Sequence, residues 1–193
     1  MTSARRYHHG NLRQAVLDEA ATVVRDRGAA ELSLREIAAT VGVTHAAPRR
    51  HFPGRQDLLD AVAVEGFARL GTRLRDALDT SSDYRAQLRS VAEAHLDFMI
   101  SEANLVELMF AHKHGPAGAA VGKAAASAFA PILVMFRRGQ ADGVVAVRDP
   151  ERLGLVFLAT LQGLAGLVGC GVIRPGQLDD LIPDALAPFS GGR

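Results

Sequence analysis

Apolar residues recur at intervals of three and four along almost the whole chain, and they nowhere alternate over a useful length. That spacing predicts helices and no strands. Leu12, Val16, Ala20, Val23 and Val24 share one face of a first helix, from Asn11 as its cap to Arg27, with Gly28 ending it. Leu34, Ile37, Ala38 and Val41 stripe a second, and a short third is expected from Thr44 to His51. Phe52-Pro53-Gly54 breaks the pattern before a long helix with Leu59, Val62, Ala63, Phe67, Leu70, Leu74 and Leu78 on one side. About twenty-five residues of helix span roughly 37 Å, enough to link two domains. Five further helices are expected. One runs from Tyr84 to Ile100 behind an Asp83 cap, and a short one covers Leu105–Phe110. An alanine-rich one starts at Val121 and should kink at Pro131. One opens at Asp149-Pro150 and runs to Ile173, and the last covers Gln177–Leu186. The expectation is an all-α protein of about nine helices. A basic arm (1–10) precedes a three-helix unit (11–54), and an α-helical domain (55–193) follows.

The chain is organised around Ser33 to Phe52, SLREIAATVGVTHAAPRRHF. Ser33 with Glu36 three residues later is a capping-box pattern, and Gly42 can take the left-handed backbone that stops a helix. Ala38, four residues before that glycine, is small enough for two helices to meet at a sharp turn, and Thr44 is placed to cap the second of them. This is the pattern of a helix-turn-helix, with the segment from Thr44 lying in a DNA major groove. That segment carries His45, Arg49, Arg50 and His51, with Ala46 and Ala47 keeping its leading end slim. Arginine can pair with phosphate or bond guanine bidentately. Ser33 and Thr44 at the helix starts, and Arg55 in the first turn of the long helix, complete the expected DNA-facing set with His45, Ala46, Arg49, Arg50 and His51. The competing reading of the same residues is an ordinary solvated helix.

Asn11 to Leu59 resembles the TetR family of bacterial transcriptional regulators. GVTHAAPRRHFPGRQDLL is similar to that family's recognition helix and the start of its fourth helix. The resemblance implies a homodimer binding a double-stranded, palindromic operator, and a C-terminal domain that binds a small-molecule effector. It implies that the last two helices form a four-helix bundle between subunits, with Gly163, Gly166, Leu167, Cys170, Leu178 and Leu181 at the interface. Relatives usually place tyrosine where Arg49 stands, often lysine where Arg55 stands, and commonly leucine at Pro48. The His-Ala-Ala-Pro run is shared with a subset whose eighth helix often carries tryptophan and a His-Gly pair. This chain has Gln162-Gly163 there and no tryptophan.

Charge sharpens this picture. Residues 1–55 hold nine arginines against five acids, while the rest of the chain is slightly acidic, although the net charge is only +1. The basic excess therefore lies with the helix-turn-helix, where phosphate affinity needs it. Arg5 and Arg6 in the arm could reach phosphates or a minor groove. The lone cysteine, Cys170, excludes an intramolecular disulfide and, with no apolar signal segment after Arg5 and Arg6, fits the cytoplasm. Leu153–Ile173 carries no charge and is long enough to span a bilayer. Its stripe of glycines at 154, 163, 166, 169 and 171 suits close helix contact in a dimer instead, so no membrane partner is expected.

No catalytic constellation, phosphate loop or cofactor motif stands out. His112-Lys113-His114 lacks the spacing and partners of a metal site, so neither metal nor cofactor is expected. His95 falls on an apolar face between Val91 and Phe98, where it is either bonded to a backbone carbonyl or one of the few polar groups of a ligand cavity. Gln162 poses the same question. Phe67, Leu70, Phe98, Met99, Met109, Phe110, Phe129, Met135, Phe136 and Phe157 would then line a largely apolar pocket, although each could equally be plain core. The resulting expectation is a repressor released by a small apolar effector. The alternatives are a regulator whose second domain binds a protein, and an enzyme with an incidental helix-turn-helix.

Overall fold

The computed structural model describes residues 12–111, 116–145 and 148–190. The arm 1–10, the Asn11 cap and His112-Lys113-His114 lie outside them. The described chain is all helical: α1 (Leu12–Arg27), α2 (Leu34–Val41), α3 (Arg55–Leu78), α4 (Tyr84–Ser101), α5 (Ala103–Ala111), α6 (Pro116–Ala141), α7 (Pro150–Gly169) and α8 (Leu178–Leu186). The forecast stripes are the buried ones. Val16, Ala20 and Val24 of α1, Ile37 and Val41 of α2, and Leu59, Phe67, Leu70 and Leu74 of α3 join one continuous core.

Local chemistry sets most boundaries. Gly28 and Gly42 have φ of 86° and 79°, where a Cβ would be strained. At Gly42 the amide of Val43 bonds Ala38 O at 2.9 Å and that of Gly42 bonds Ala39 O at 3.1 Å, a Schellman closure of α2. Asp83 accepts the Ala86 amide and Asp149 the Glu151 amide, so both caps form. The capping box at α2 forms by half. Ser33 accepts the Glu36 amide at 3.4 Å, whereas the Glu36 carboxylate lies 3.9 Å from Arg27.

Three expectations need correction. The segment after Gly42 is not an α-helix but a turn followed by a 3₁₀ turn, Pro48–Arg50, which leaves eight α-helices among the described residues instead of nine. Proline explains it. Pro48 has no N–H to give Thr44, so the segment closes with i→i−3 bonds, Ala47 to Thr44 and Arg50 to Ala47. Thr44 accepts through its carbonyl and supplies no side-chain cap. α6 continues as helix through Pro131, with Ile132, Met135 and Phe136 anchored in the core beyond it. α7 stops at Gly169, because Gly171 (φ 76°) closes it by a second Schellman pair, Val172 to Leu167 and Gly171 to Val168.

α3 is the central element and packs on α1, α4, α5 and most extensively α6. Its crossing with α6 is close: a Cβ built on Gly71 would lie 3.0 Å from Ala128 Cα. The N-terminal and C-terminal helices are joined by charge as well as by core. Glu102, between α4 and α5, meets Arg69 of α3 at 2.6 Å and Arg25 of α1 at 3.6 Å. Asn104 donates to Arg25 O at 2.9 Å.

Because backbone rather than a movable side chain opposes it, Gly71→Val should force α3 and α6 apart and destabilise the fold by about 1–3 kcal/mol. The urea midpoint of the variant measures this. An unchanged midpoint would show that the crossing can relax.

Candidate nucleic-acid interface and the buried polar centre

The segment after α2 presents cations on a small, firmly seated platform. Pro48 and Phe52 are buried, and the Arg13 guanidinium of α1 lies 5.2 Å above the Phe52 ring. On this footing Thr44, His45, Ala46, Arg49, Arg50 and His51 are all exposed. Among the described residues Arg49 and Arg50 make no ion pair. Asp57, in the first turn of α3, accepts the Gly54 amide at 2.8 Å. Free cations on a rigid base are what phosphate or base-edge contacts require.

Two residues of the expected set do other work. Arg55 turns back to the loop before α2, giving Nε to Leu32 O at 2.9 Å and Nη2 to Ala29 O and to Ala30 O. Three carbonyls at the end of that loop outcompete solvent for its fork of donors, so Arg55 locks the start of α3 to the helix-turn-helix. Ser33 is half-buried and its hydroxyl is spent on α2. One residue was missed. Arg35, exposed in the first turn of α2, lines a cleft of about 430 Å³ with Leu34, His45, Ala46 and Arg49. The helical register after the Ser33 cap could have placed Arg35 beside the turn, because position N2 faces outward there.

The twelve residues expected to line one pocket do not do so. Phe67, Leu70, His95, Phe98, Met109, Met135, Phe136 and Phe157 are buried in the core, while Met99, Phe110, Phe129 and Gln162 are half-buried. They fall into two aromatic groups. Phe67 has Phe110 at 5.5 Å and Phe129 at 6.3 Å, and Phe136 has Phe157 at 5.5 Å and Phe189 at 6.1 Å. Three surface cavities take in Phe67, Phe129 and Met135 respectively, and none of the three holds two of the twelve. Large apolar side chains at helical spacing filled the interior rather than enclosing a space.

His95 is the exception to good packing. Its side chain is 0% exposed, and neither ring nitrogen has a hydrogen-bond partner. A Phe129 ring lies 6.0 Å away. Desolvation lowers its pKa from 6.5 to about 4, so the imidazole is neutral at physiological pH. The backbone carbonyl expected as its partner is not there.

The comparisons with known proteins place this architecture. Residues 16–62, from α1 into α3, match the family model described as bacterial regulatory proteins, tetR family. The chain belongs to the TetR family. The family is one of regulators rather than enzymes. Two relatives from Mycolicibacterium smegmatis are the HTH-type transcriptional repressor LfrR, 38% identical over 85 residues (44% of this chain, 44% of that protein), and the HTH-type transcriptional activator FasR, 33% identical over 98 residues (51% and 45%). The match thus spans about half the length of each curated relative. A solved structure from Rhodococcus sp. RHA1, of a protein of unknown function, is 35% identical, with a TM-score of 0.85 over 94% of this chain and 95% of that one.

Beyond the matched region, this TetR-family chain leaves one face of α7 uncovered. Leu153, Phe157, Leu161 and Ala165 point into the core, whereas Gly163, Gly166, Leu167 and Cys170 are exposed on the other side. Leu155, Val156 and Val172 are more than half exposed, at 68%, 51% and 69%. Leu178, expected at the same interface, is buried inside the subunit at 8% exposure, because α8 turns it onto the core with Ile182 and Leu186; Leu181 is half-buried. α6 and α7 are each long and apolar enough to cross a membrane. Yet α7 packs on α4, and α4 carries the charged pair Arg89–Glu93, with N···O 2.6 Å.

Arg35→Ala and Arg49→Ala should each weaken operator and unrelated DNA alike if they meet phosphate, with a salt slope shallower by about 0.9 for each phosphate no longer neutralised. Loss confined to one base pair, worth about 1–3 kcal/mol, would instead assign guanine reading. Titrations at several salt concentrations on single-base variants separate the two.

For His95 the sign follows from its depressed pKa. Below about 6.5 the unfolded chain takes up a proton that the folded chain refuses until about 4. Stability is therefore lost as pH falls through that window, by on the order of 3 kcal/mol. His95→Leu should flatten this loss and, by removing two unsatisfied nitrogens, raise stability at pH 7 by about 1–3 kcal/mol. Urea unfolding at pH 7 and pH 5 reads both effects.

Proposed function

We propose that the protein is a homodimeric repressor of the bacterial cytoplasm. It grips a palindromic operator with residues 44–51 and Arg35 of each subunit, and a small, largely apolar molecule in the helical domain 55–193 releases it. The observation that carries this reading is the pairing of a cationic, unpaired turn at one end of the molecule with an uncovered apolar face on α7. Two recognition segments related by a twofold axis match two half-sites. The α7 face supplies the twofold contact, since soluble chains seldom leave such a patch in water. LfrR, the relative named as a repressor, supports the sign chosen here, and FasR shows why the sign needs its own test.

Effector action requires unequal affinity for two arrangements of the helices. The Arg25–Glu102–Arg69 contact is the place where such a difference would reach α1, because one carboxylate serves both the DNA-proximal helix and α3. Release would then follow from a changed distance between the two recognition turns.

Nothing in the subunit lies within 4 Å of a Cβ built on Gly166. Gly166→Arg should therefore leave the fold intact, and the better helix former even favours α7. In light scattering it should yield monomers that have lost most of their operator affinity while binding single half-sites weakly. A variant that stays dimeric would remove α7 from the interface. Transcription in vitro from a promoter overlapping the bound site, with and without protein, decides between repression and activation.

A further inference from the structure

We infer that the groove between α6 and α7 receives an apolar molecule bearing one neutral hydroxyl, that Phe129 is its movable inner wall, and that His95 takes the hydroxyl. The inference deepens the effector reading above and rests on it. The groove has a volume of about 310 Å³ and is lined mainly by apolar groups, including Ala126, Phe129, Ile132, Leu133, Leu155 and Leu158. Phe129 is shared between groove and core. It is half-buried, lines the groove, and holds its ring 6.0 Å from the imidazole. A change of its side-chain rotamer would join the groove to His95.

The chemistry of the occupant follows from what waits behind that ring. A buried polar group with no partner is a standing loss of stability, and His95 has two such atoms, Nδ1 and Nε2. A neutral imidazole offers one donor and one acceptor. A hydroxyl can engage either. A carboxylate could use only the donor and would bury a charge with no cation lining the groove, whose one ionisable residue is Glu151. An ammonium would find Glu151 only at the exposed rim, far from the purpose of the imidazole. The apolar lining takes the rest of the molecule, and the size suits one ring with a short chain.

The test uses the full-length protein with 4-butylphenol and with butylbenzene, which lacks only the hydroxyl. Binding is followed by thermal shift and calorimetry, and the His95 nitrogens by NMR of protein labelled with ¹⁵N-histidine. The expected result is at least tenfold tighter binding of 4-butylphenol, with a shift of the His95 resonances. In His95→Leu, which should fold at least as stably, the two compounds should bind within about threefold of each other. His95→Gln, whose amide still bonds a hydroxyl, should keep the preference. Ala126→Trp, which fills the groove without touching His95, should weaken both. Equal binding by wild type, a preference that survives His95→Leu, or no binding of either compound would overturn the inference. That last result is also what a partner subunit seated on the groove would give, with Ala126→Trp then dispersing the dimer. Operator binding in the same samples keeps the two readings apart. Occupancy of His95 without release supports the site and overturns its effector role. Release by a compound indifferent to His95 does the reverse.

Discussion

The whole molecule depends on α3 being held along its full length. At its start Arg55 is bound to three carbonyls of the loop that leads into α2. Midway, a Cβ on Gly66 would lie 2.7 Å from Met109 Sδ, and Arg69 grips Glu102. Further on, Gly71 lets α6 approach, and Arg73 meets Asp97 of α4 at 2.8 Å while its guanidinium covers the Phe98 ring at 5.4 Å. Past its end, Gln87 donates to Leu78 O at 2.9 Å. A helix of 24 residues pinned at each stage behaves as one rod. Any rearrangement among α4, α6 and α7 must then either move α3 with its attached recognition turn or slide along it.

What could be read from sequence was whatever a single helix decides for itself. The stripes of α1 to α3, the serine and aspartate caps and the glycine stop after Val41 are local, and they stand in the structure as expected. The third helix failed because a good cap position and a cationic face outweighed one missing amide at Pro48, when the missing amide was decisive in so short a segment. The hold of Arg55 on the loop before α2 was not legible because its partners lie 23 to 26 residues earlier, and a helix N-terminus says nothing of which loop lies beside it. Pocket and core could not be told apart for a more general reason: periodicity identifies the side of a helix that avoids water, and core and cavity wall avoid it equally. His95 alone was legible as an anomaly, and only coordinates could show that it lacks a partner.

The two aromatic groups divide the interior by task. Phe136, Phe157 and Phe189 close the far end, where the buried Tyr84 hydroxyl donates to Phe189 O at 2.9 Å and ties the last turn to α4. Burial raises the Tyr84 phenol well above its usual pKa, so this bond persists across the physiological range. Phe67, Phe110 and Phe129 sit instead between α3, α5 and α6, close to the imbalance at His95. The first group is thus tied by a hydrogen bond as well as by ring contacts, whereas the second lies beside a polar side chain with no partner.

The 3₁₀ closure at Pro48 bears on how broadly the protein reads DNA. A segment held by i→i−3 bonds has fewer and weaker internal ties than an α-helix, yet the buried Pro48 and Phe52 fix both its place and its direction. Its arginines therefore keep freedom of reach while their base stays put. On the proposed reading, such a segment would tolerate small differences in groove width and half-site sequence, because side chains adjust before the backbone has to. A chromosome can then offer it a graded set of sites, from strong to weak, that fill in order as the protein's concentration rises.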